Sequence, residues 1–320
     1  MKLTPKLALL LALGSMHGFT FAQTSYTDTA STGLWFSGRW NNTENVGPYT
    51  SAFTANNDVV FGSGTYNFAG MGTTDAVNVG DITLNTGANV QFTGNSGVFS
   101  NGGTVSTFDV ASGAVLNFGS QAFDTTSGTG FVKNGAGVLQ LSGGAYNGGF
   151  TLNAGAVVSR GLNSFGQGAT NSLTLNGGII TSITSRTFDT TYFGGGIVVG
   201  GNVQFGALST AVTGSSNTAG LRFDNDVALG SGNRTFTVGN NAVHTFGGII
   251  SNTSGGITFA ATSGLNTPSS TSTAFSITNL ANTFTGDITI TGGRVNFSGD
   301  GSLGNASNDV TIDGGVFSTA

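Results

Sequence analysis

The 320-residue chain predicts an all-β fold, a right-handed parallel β-helix with coils of about 22 residues. Three observations carry this expectation. First, one phrase recurs: an apolar alternation, a glycine turn and a second alternation. It reads Ile82-Thr-Leu84 to Gly87 to Val90-Gln-Phe92, and Phe108-Asp-Val110 to Gly113 to Leu116-Asn-Phe118. It returns at Phe150-Thr-Leu152 to Gly155-Ala-Val157, Leu173-Thr-Leu175 to Gly178-Ile-Ile180, Ile288-Thr-Ile290 to Gly293-Arg-Val295-Asn-Phe297, and Val310-Thr-Ile312 to Gly315. Second, the turn glycines step by 26 (87 to 113), 42 (113 to 155), 23 (155 to 178) and 22 (293 to 315), and the gap of 115 between 178 and 293 holds five steps of 23. Third, the chain has 55 Gly, 3 Pro and no Cys, with 7% charged and 38% hydrophobic residues. So low a charge suits disorder or a β-rich stack, and the period-2 apolar residues supply the face that a stack buries. A β-sandwich or a set of hairpins is the alternative, since Gly-Gly turns also close hairpins; the near-constant step favours the helix.

Residues 1–22 read as a secretory signal. Lys2 and Lys6 form its charged start, Leu7 to Leu13 its apolar core, and Thr20-Phe21-Ala22 its small-residue cleavage site before Gln23. The apolar run is shorter than the roughly 20 residues of a membrane helix, and no Cys follows it for lipid attachment. No second run is long enough, so the mature chain is expected to have no membrane span. Cleavage near Ala22 leaves seven basic and 14 acidic residues, a net charge of −7, which argues against nucleic acid or anionic lipid as a partner. With no disulfide available, stability rests on the stack.

Residues 23–60 read as an N-terminal cap or entry segment. Trp35, Trp40 and Glu44 crowd together there, and a solenoid's bare end needs a distinct cover. Residues 61–320 read as the repeat region. Weaker copies of the phrase fill its middle, at Val203-Gln-Phe205, Leu221-Arg-Phe223, Phe236-Thr-Val238 and Ile257-Thr-Phe259. The mature length predicts about 13 coils and, at ~4.8 Å per coil, a rod of roughly 60 Å. Gly at the corners permits positive φ. Asn and Thr near the turns are expected to point inward and ladder with their copies one coil away. Residues 262–274 lack alternation and read as a protruding loop.

The segment Gly135-Ala-Gly-Val-Leu-Gln-Leu-Ser-Gly-Gly-Ala-Tyr-Asn-Gly-Gly-Phe-Thr-Leu-Asn-Ala-Gly-Ala-Val157, continuing through Leu162-Asn-Ser-Phe-Gly-Gln-Gly to Gly178, resembles the autotransporter-associated β-strand repeat, or passenger-associated transport repeat. A second copy runs from Asn282-Thr-Phe-Thr-Gly through Gly301-Ser-Leu-Gly to Gly315, so the clearest repeats are 135–178 and 282–315. The resemblance implies a β-helical passenger region of a secreted bacterial protein, with the repeat assisting outer-membrane export, and implies no catalytic residues. It departs from that pattern in having no C-terminal translocator barrel, which would need many ~10-residue amphipathic strands. The chain stops mid-repeat at Gly315-Val-Phe-Ser-Thr-Ala320, as a truncated product would.

Several residues invite chemistry. Asp224-Asn-Asp226 could place two carboxylates on one side of a strand, as β-helical polysaccharide lyases do for acid–base work or calcium, yet Asn-Asp is also ordinary corner chemistry and the nearest basic partner is Arg222. His244 is the only histidine after residue 22; it lacks further ligands for zinc and is expected at the surface or a strand edge. Asp300-Gly-Ser-Leu-Gly-Asn305 faintly suggests a calcium loop without the β-roll nonapeptide. Gly135-Ala-Gly137 lacks the third glycine and the helix of a phosphate loop. Lys133 alone makes no basic patch. Trp35 and Trp40 could stack on sugars, but cap packing is the stronger reading. The expectation is therefore a non-enzymatic exported passenger-type protein, secreted or at the bacterial cell surface, with no catalytic, cofactor or metal site. Its expected partners are outer-membrane export machinery or a separate translocator, and a surface glycan or protein that the 262–274 loop could hold. A β-helical lyase or glycoside hydrolase acting on acidic glycans is the alternative.

Overall fold

Period-2 alternation puts every second side chain on one face of a strand, and the phrase joins two such strands through a glycine corner. In the computed structural model the described residues are 57–68, 76–92, 98–100, 105–119, 122–123, 129–144, 146–265 and 274–319, together with the short strands Ser25–Asp28, Thr32–Gly33 and Trp40–Asn42. They form a parallel β-solenoid of about ten turns with strands about 23 residues apart. No α-helix occurs among them; Asp300–Leu303 is a single 3₁₀ turn.

As far as Ile250–Ser251 the coils contribute strands to a first sheet; a second sheet of twelve strands runs from Thr32–Gly33 to Val310–Ile312. The third side changes along the rod. In early coils Val98–Ser100, Ala122–Phe123 and Gly143–Gly144 pair there; from Arg186–Phe188 to Val316–Thr319 a separate six-stranded sheet takes over. Register is parallel and coil-to-coil: Thr151 pairs with Thr174 and then Val198. Among the described strands one pair is antiparallel, Ser25–Asp28 with Trp40–Asn42, inside the segment read as a cap. Trp35 lies outside the described residues.

The step is less uniform than the sequence suggests, and its longer values leave fewer than thirteen coils among the described residues. Val157 and Ile180 face each other 23 residues apart, Leu139 and Val157 only 18. Phe205 pairs with Val238 after 33 residues and Phe259 with Ile290 after 31. The two long steps contain the insertions 206–220 and 262–273 at the corner after the second sheet; residues 266–273 of the expected loop lie outside the described set.

Inward rows form one continuous core running from Val59 to Phe297. Phenylalanine recurs along these rows, and in part of the rod equivalent rings one coil apart stack face to face. Phe68, Phe92 and Phe118 follow one another at centroid distances of 4.9 and 5.2 Å with planes 15° and 4° apart. Such pairs add about 0.5–1.5 kcal/mol beyond burial. The expected asparagine ladder exists on the opposite side of the wall. Asn153 Nδ2 donates to Asn134 Oδ1 at 2.8 Å and Asn176 Nδ2 to Asn153 Oδ1 at 2.9 Å, at the outer corner, exposed at Asn153 and Asn176. Each follows an inward residue by one position, so the pleat turns it out.

The two clear repeat copies use the same hydrogen bonds on different sides of the rod. In the first, Ser164 Oγ bonds to the Gly161 carbonyl at 2.8 Å and receives the Gly161 N–H at 2.9 Å; in the second, Ser302 does the same with Gly299, at 2.5 and 3.2 Å. Asn171 accepts the Gly149 N–H and donates to the Phe165 carbonyl, while Asn308 accepts from Gly286 and donates to Leu303. Yet Phe150–Leu152 and Ala156–Ser159 lie in the first and second sheets, whereas Ile288–Ile290 and Arg294–Phe297 lie in the second and third. The motif has moved one side around between the copies.

Candidate functional site

The polar side chains that might do chemistry are mostly bonded to a neighbouring coil. Asp58 Oδ1 accepts the Asp81 N–H and Asp81 Oδ1 the Thr107 N–H, both at 2.7 Å. Asn202, Asn233 and Asn252 take the N–H groups of Thr235, Gly256 and Thr285 in the same way, at 2.8–2.9 Å. At a corner the ladder breaks and leaves backbone donors open, and an Asp or Asn at that position supplies the acceptor. Burial and the nearby Asp81 charge raise the Asp58 pKa, although the Asp81 N–H bond opposes the rise.

The Asp224-Asn225-Asp226 trio occupies the corner after Leu221–Phe223. Asn225 is buried and its amide donates to the Phe193 carbonyl. The two carboxylates point outward with separate duties. Asp224 Oδ2 accepts from Arg222 Nε at 2.8 Å in an exposed ion pair, and Asp226 Oδ1 accepts the Ile249 N–H at 2.9 Å. Among the described residues no group of three His, Cys, Asp or Glu could hold a metal ion.

His244 is not at the surface. It is fully buried in Val243–Phe246, on the inward phase it shares with Phe246. Its Nδ1 accepts the Leu221 N–H at 3.2 Å, which leaves Nε2 protonated and donating to Asn240 Oδ1 at 3.0 Å. Burial between Phe205 and Phe275 lowers its pKa to about 3, so it is neutral.

Lys133 takes a core position in the first sheet, between Phe108 of one coil and Leu152 of the next. Its stem fills the space of an apolar side chain and its Nζ turns to the corner, donating to the carbonyls of Asn134 (2.5 Å), Gly135 (2.7 Å) and Ala154 (3.3 Å). Burial lowers its pKa to about 8 against an opposing pull from Asp109. Gly135, with φ of +72°, belongs to the same corner: a Cβ there would sit 2.3 Å from the Val110 carbonyl oxygen. Close coil packing, with no helix following, explains this glycine pair. Asp300–Leu303 is the 3₁₀ turn that buries Ser302. Nothing is described of the Trp40 side chain.

The sequence reading missed the buried roles of Lys133 and His244 and the docking of 206–220 on the outer wall. The first two had a signal, since both fall on the inward phase of their strands. Comparison with known families, curated proteins and solved structures returns no match. No helix among the described residues is long and apolar enough to cross a membrane.

Proposed function

We propose that the chain is a non-enzymatic β-solenoid passenger, exported through its N-terminal signal and displayed or released at a bacterial surface, whose working part is the stack itself. One observation carries this reading: each coil supplies the acceptors, carboxylate and amide as well as backbone, that complete the donors of an adjacent coil. An advancing coil therefore finds a finished template, and folding that proceeds coil by coil would draw an emerging chain outward without an external energy source. The passenger-repeat resemblance of 135–178 and 282–315 supports the export role, and a translocator or export machinery is the partner it calls for. The test is proteolysis at intervals after dilution from denaturant. Fragments of growing length should become protected in turn; protection of the whole chain in one step refutes coil-by-coil templating.

A glycan-cleaving reading draws on the outward Arg222, Asp224 and Asp226 at one corner of a β-helix. It predicts depolymerisation of acidic polysaccharide in the presence of calcium, abolished by combined Asp224→Ala and Asp226→Ala substitution. Activity of that kind would displace the passenger reading.

A further inference from the structure

The corner after the second sheet closes with four residues, 239–242, between Val238 and Val243. One coil earlier the same corner takes fourteen, 206–219, between Phe205 and Gly220, the residue that register sets opposite Val243. The coil does not need the extra length. It folds back over the outer wall of the second sheet, where register aligns Val138, Ala156 and Ile179 in one row and Gln140, Val158 and Thr181 in the next. Ala207 and Val212 pack on Ala156 and Val158, and all four are buried. Gln140 Nε2 donates to the Thr213 carbonyl at 2.9 Å, and the Ser216 N–H reaches the Ser182 carbonyl at 3.0 Å. Asn240 holds the exit through the Ser216 and Ala219 carbonyls. The segment contributes no strand to any sheet. Beneath it Thr181 Oγ1 is buried with no hydrogen-bond partner.

We propose that residues 206–220 are a detachable strap over an apolar patch on the second sheet, which opens as a unit while the coils beneath stay folded. Two small apolar side chains and a few isolated bonds hold it, against continuous ladders below, so its opening costs less than unfolding the coils. Opening returns water to the Thr181 hydroxyl. It also bares the apolar side chains of Val138, Ala156, Val158 and Ile179.

Hydrogen exchange on the full chain tests this. The amides of Val212 and Ser216 should exchange at least about tenfold faster than those of Ile180 and Thr181 beneath them. In Val212→Asp, protease should cut within 207–216 at least about tenfold faster than in wild type, and a hydrophobic dye should bind. Protection over 173–182 should stay unchanged. A second variant replaces 206–219 with Gly-Asn-Asn-Ala, the corner of the following coil, and keeps Gly220 in the register position of Val243; it should fold and bind the dye. Equal exchange rates overturn the proposal. So does loss of 173–182 protection in Val212→Asp, failure of the shortened chain to fold, or a folded shortened chain that binds no more dye than wild type.

Discussion

Replacing His244 with Phe should make the stability of this rod less sensitive to acid. The imidazole is wholly enclosed, with ring neighbours Phe205 and Phe275 at 6.2 and 5.9 Å. Desolvation lowers its pKa from 6.5 to about 3. Between those values the unfolded chain binds a proton that the folded chain refuses, so stability is full above pH 6.5 and falls as the pH drops towards 3. The slope is about 1.4 kcal/mol per pH unit, which removes roughly 3 kcal/mol between pH 6.5 and 4. His244→Phe keeps a ring in the stack but strands the Leu221 N–H and the Asn240 carbonyl oxygen, at a cost of about 1–3 kcal/mol at pH 7. It also abolishes this part of the slope. Urea midpoints of wild type and variant, measured from pH 7.5 to 4, should therefore converge near pH 5, with the variant the more stable at pH 4. The carboxylates titrate alike in both proteins and cancel in the difference. Curves that stay parallel across the range would refute a buried neutral imidazole.

Two turn glycines at matching corners should respond differently to alanine. Gly113 has φ of +74° and open space around a Cβ, so Gly113→Ala should cost about 1 kcal/mol; Gly155 has φ of +72° and would drive a Cβ to 2.4 Å from the Gly135 carbonyl oxygen, so Gly155→Ala should cost at least about 3 kcal/mol by denaturant unfolding. Wild type should gain stability from pH 8 to 10.5, by up to about 3 kcal/mol, because Lys133 releases its proton near pH 8 in the folded chain and at 10.5 in the unfolded one; Lys133→Met should lack that gain. Asp226→Asn retains an acceptor for the Ile249 N–H and should leave the thermal midpoint nearly unchanged, while Asp226→Ala should lower stability by about 1 kcal/mol.

The alternation in the sequence foretold the inward rows over most of the solenoid, although in the last described coil the same phrase leaves Val310 half-buried and Ile312 exposed. Ile82, Leu84, Val90 and Phe92, named as one phrase, are all buried, and so are Leu173, Leu175 and Ile180. Phase held more than was drawn from it. Asn153 follows the inward Leu152 and had to face out, while Lys133 follows Phe131 by two and His244 precedes Phe246 by two, so both had to face in. Residue type weighed against phase in each case: a lone lysine or histidine reads as surface until the neighbouring carbonyls and amides that satisfy it are in place. The strap was beyond the reach of pattern. Residues 206–220 have no alternation, and their docking depends on Val138, Ala156, Val158 and Ile179 from three earlier coils. The lateral shift of the repeat between its copies was hidden for a similar reason, since the same phrase can turn any corner of the rod.

Parallel, in-register stacking is the claim on which the rest depends, and one distance tests it most directly. Thr107 and Ser251 are 144 residues apart in sequence and six coil steps apart on one outward row of the first sheet, through Val132, Thr151, Thr174, Val198 and Ala228. The chain has no cysteine, so Thr107→Cys with Ser251→Cys gives a clean pair for spin labels. At ~4.8 Å per coil the labels should sit about 29 Å apart, and moving the first label to Val198 should shorten that to about 10 Å. A distance that does not fall in proportion to the number of coils between the labels would contradict the stack.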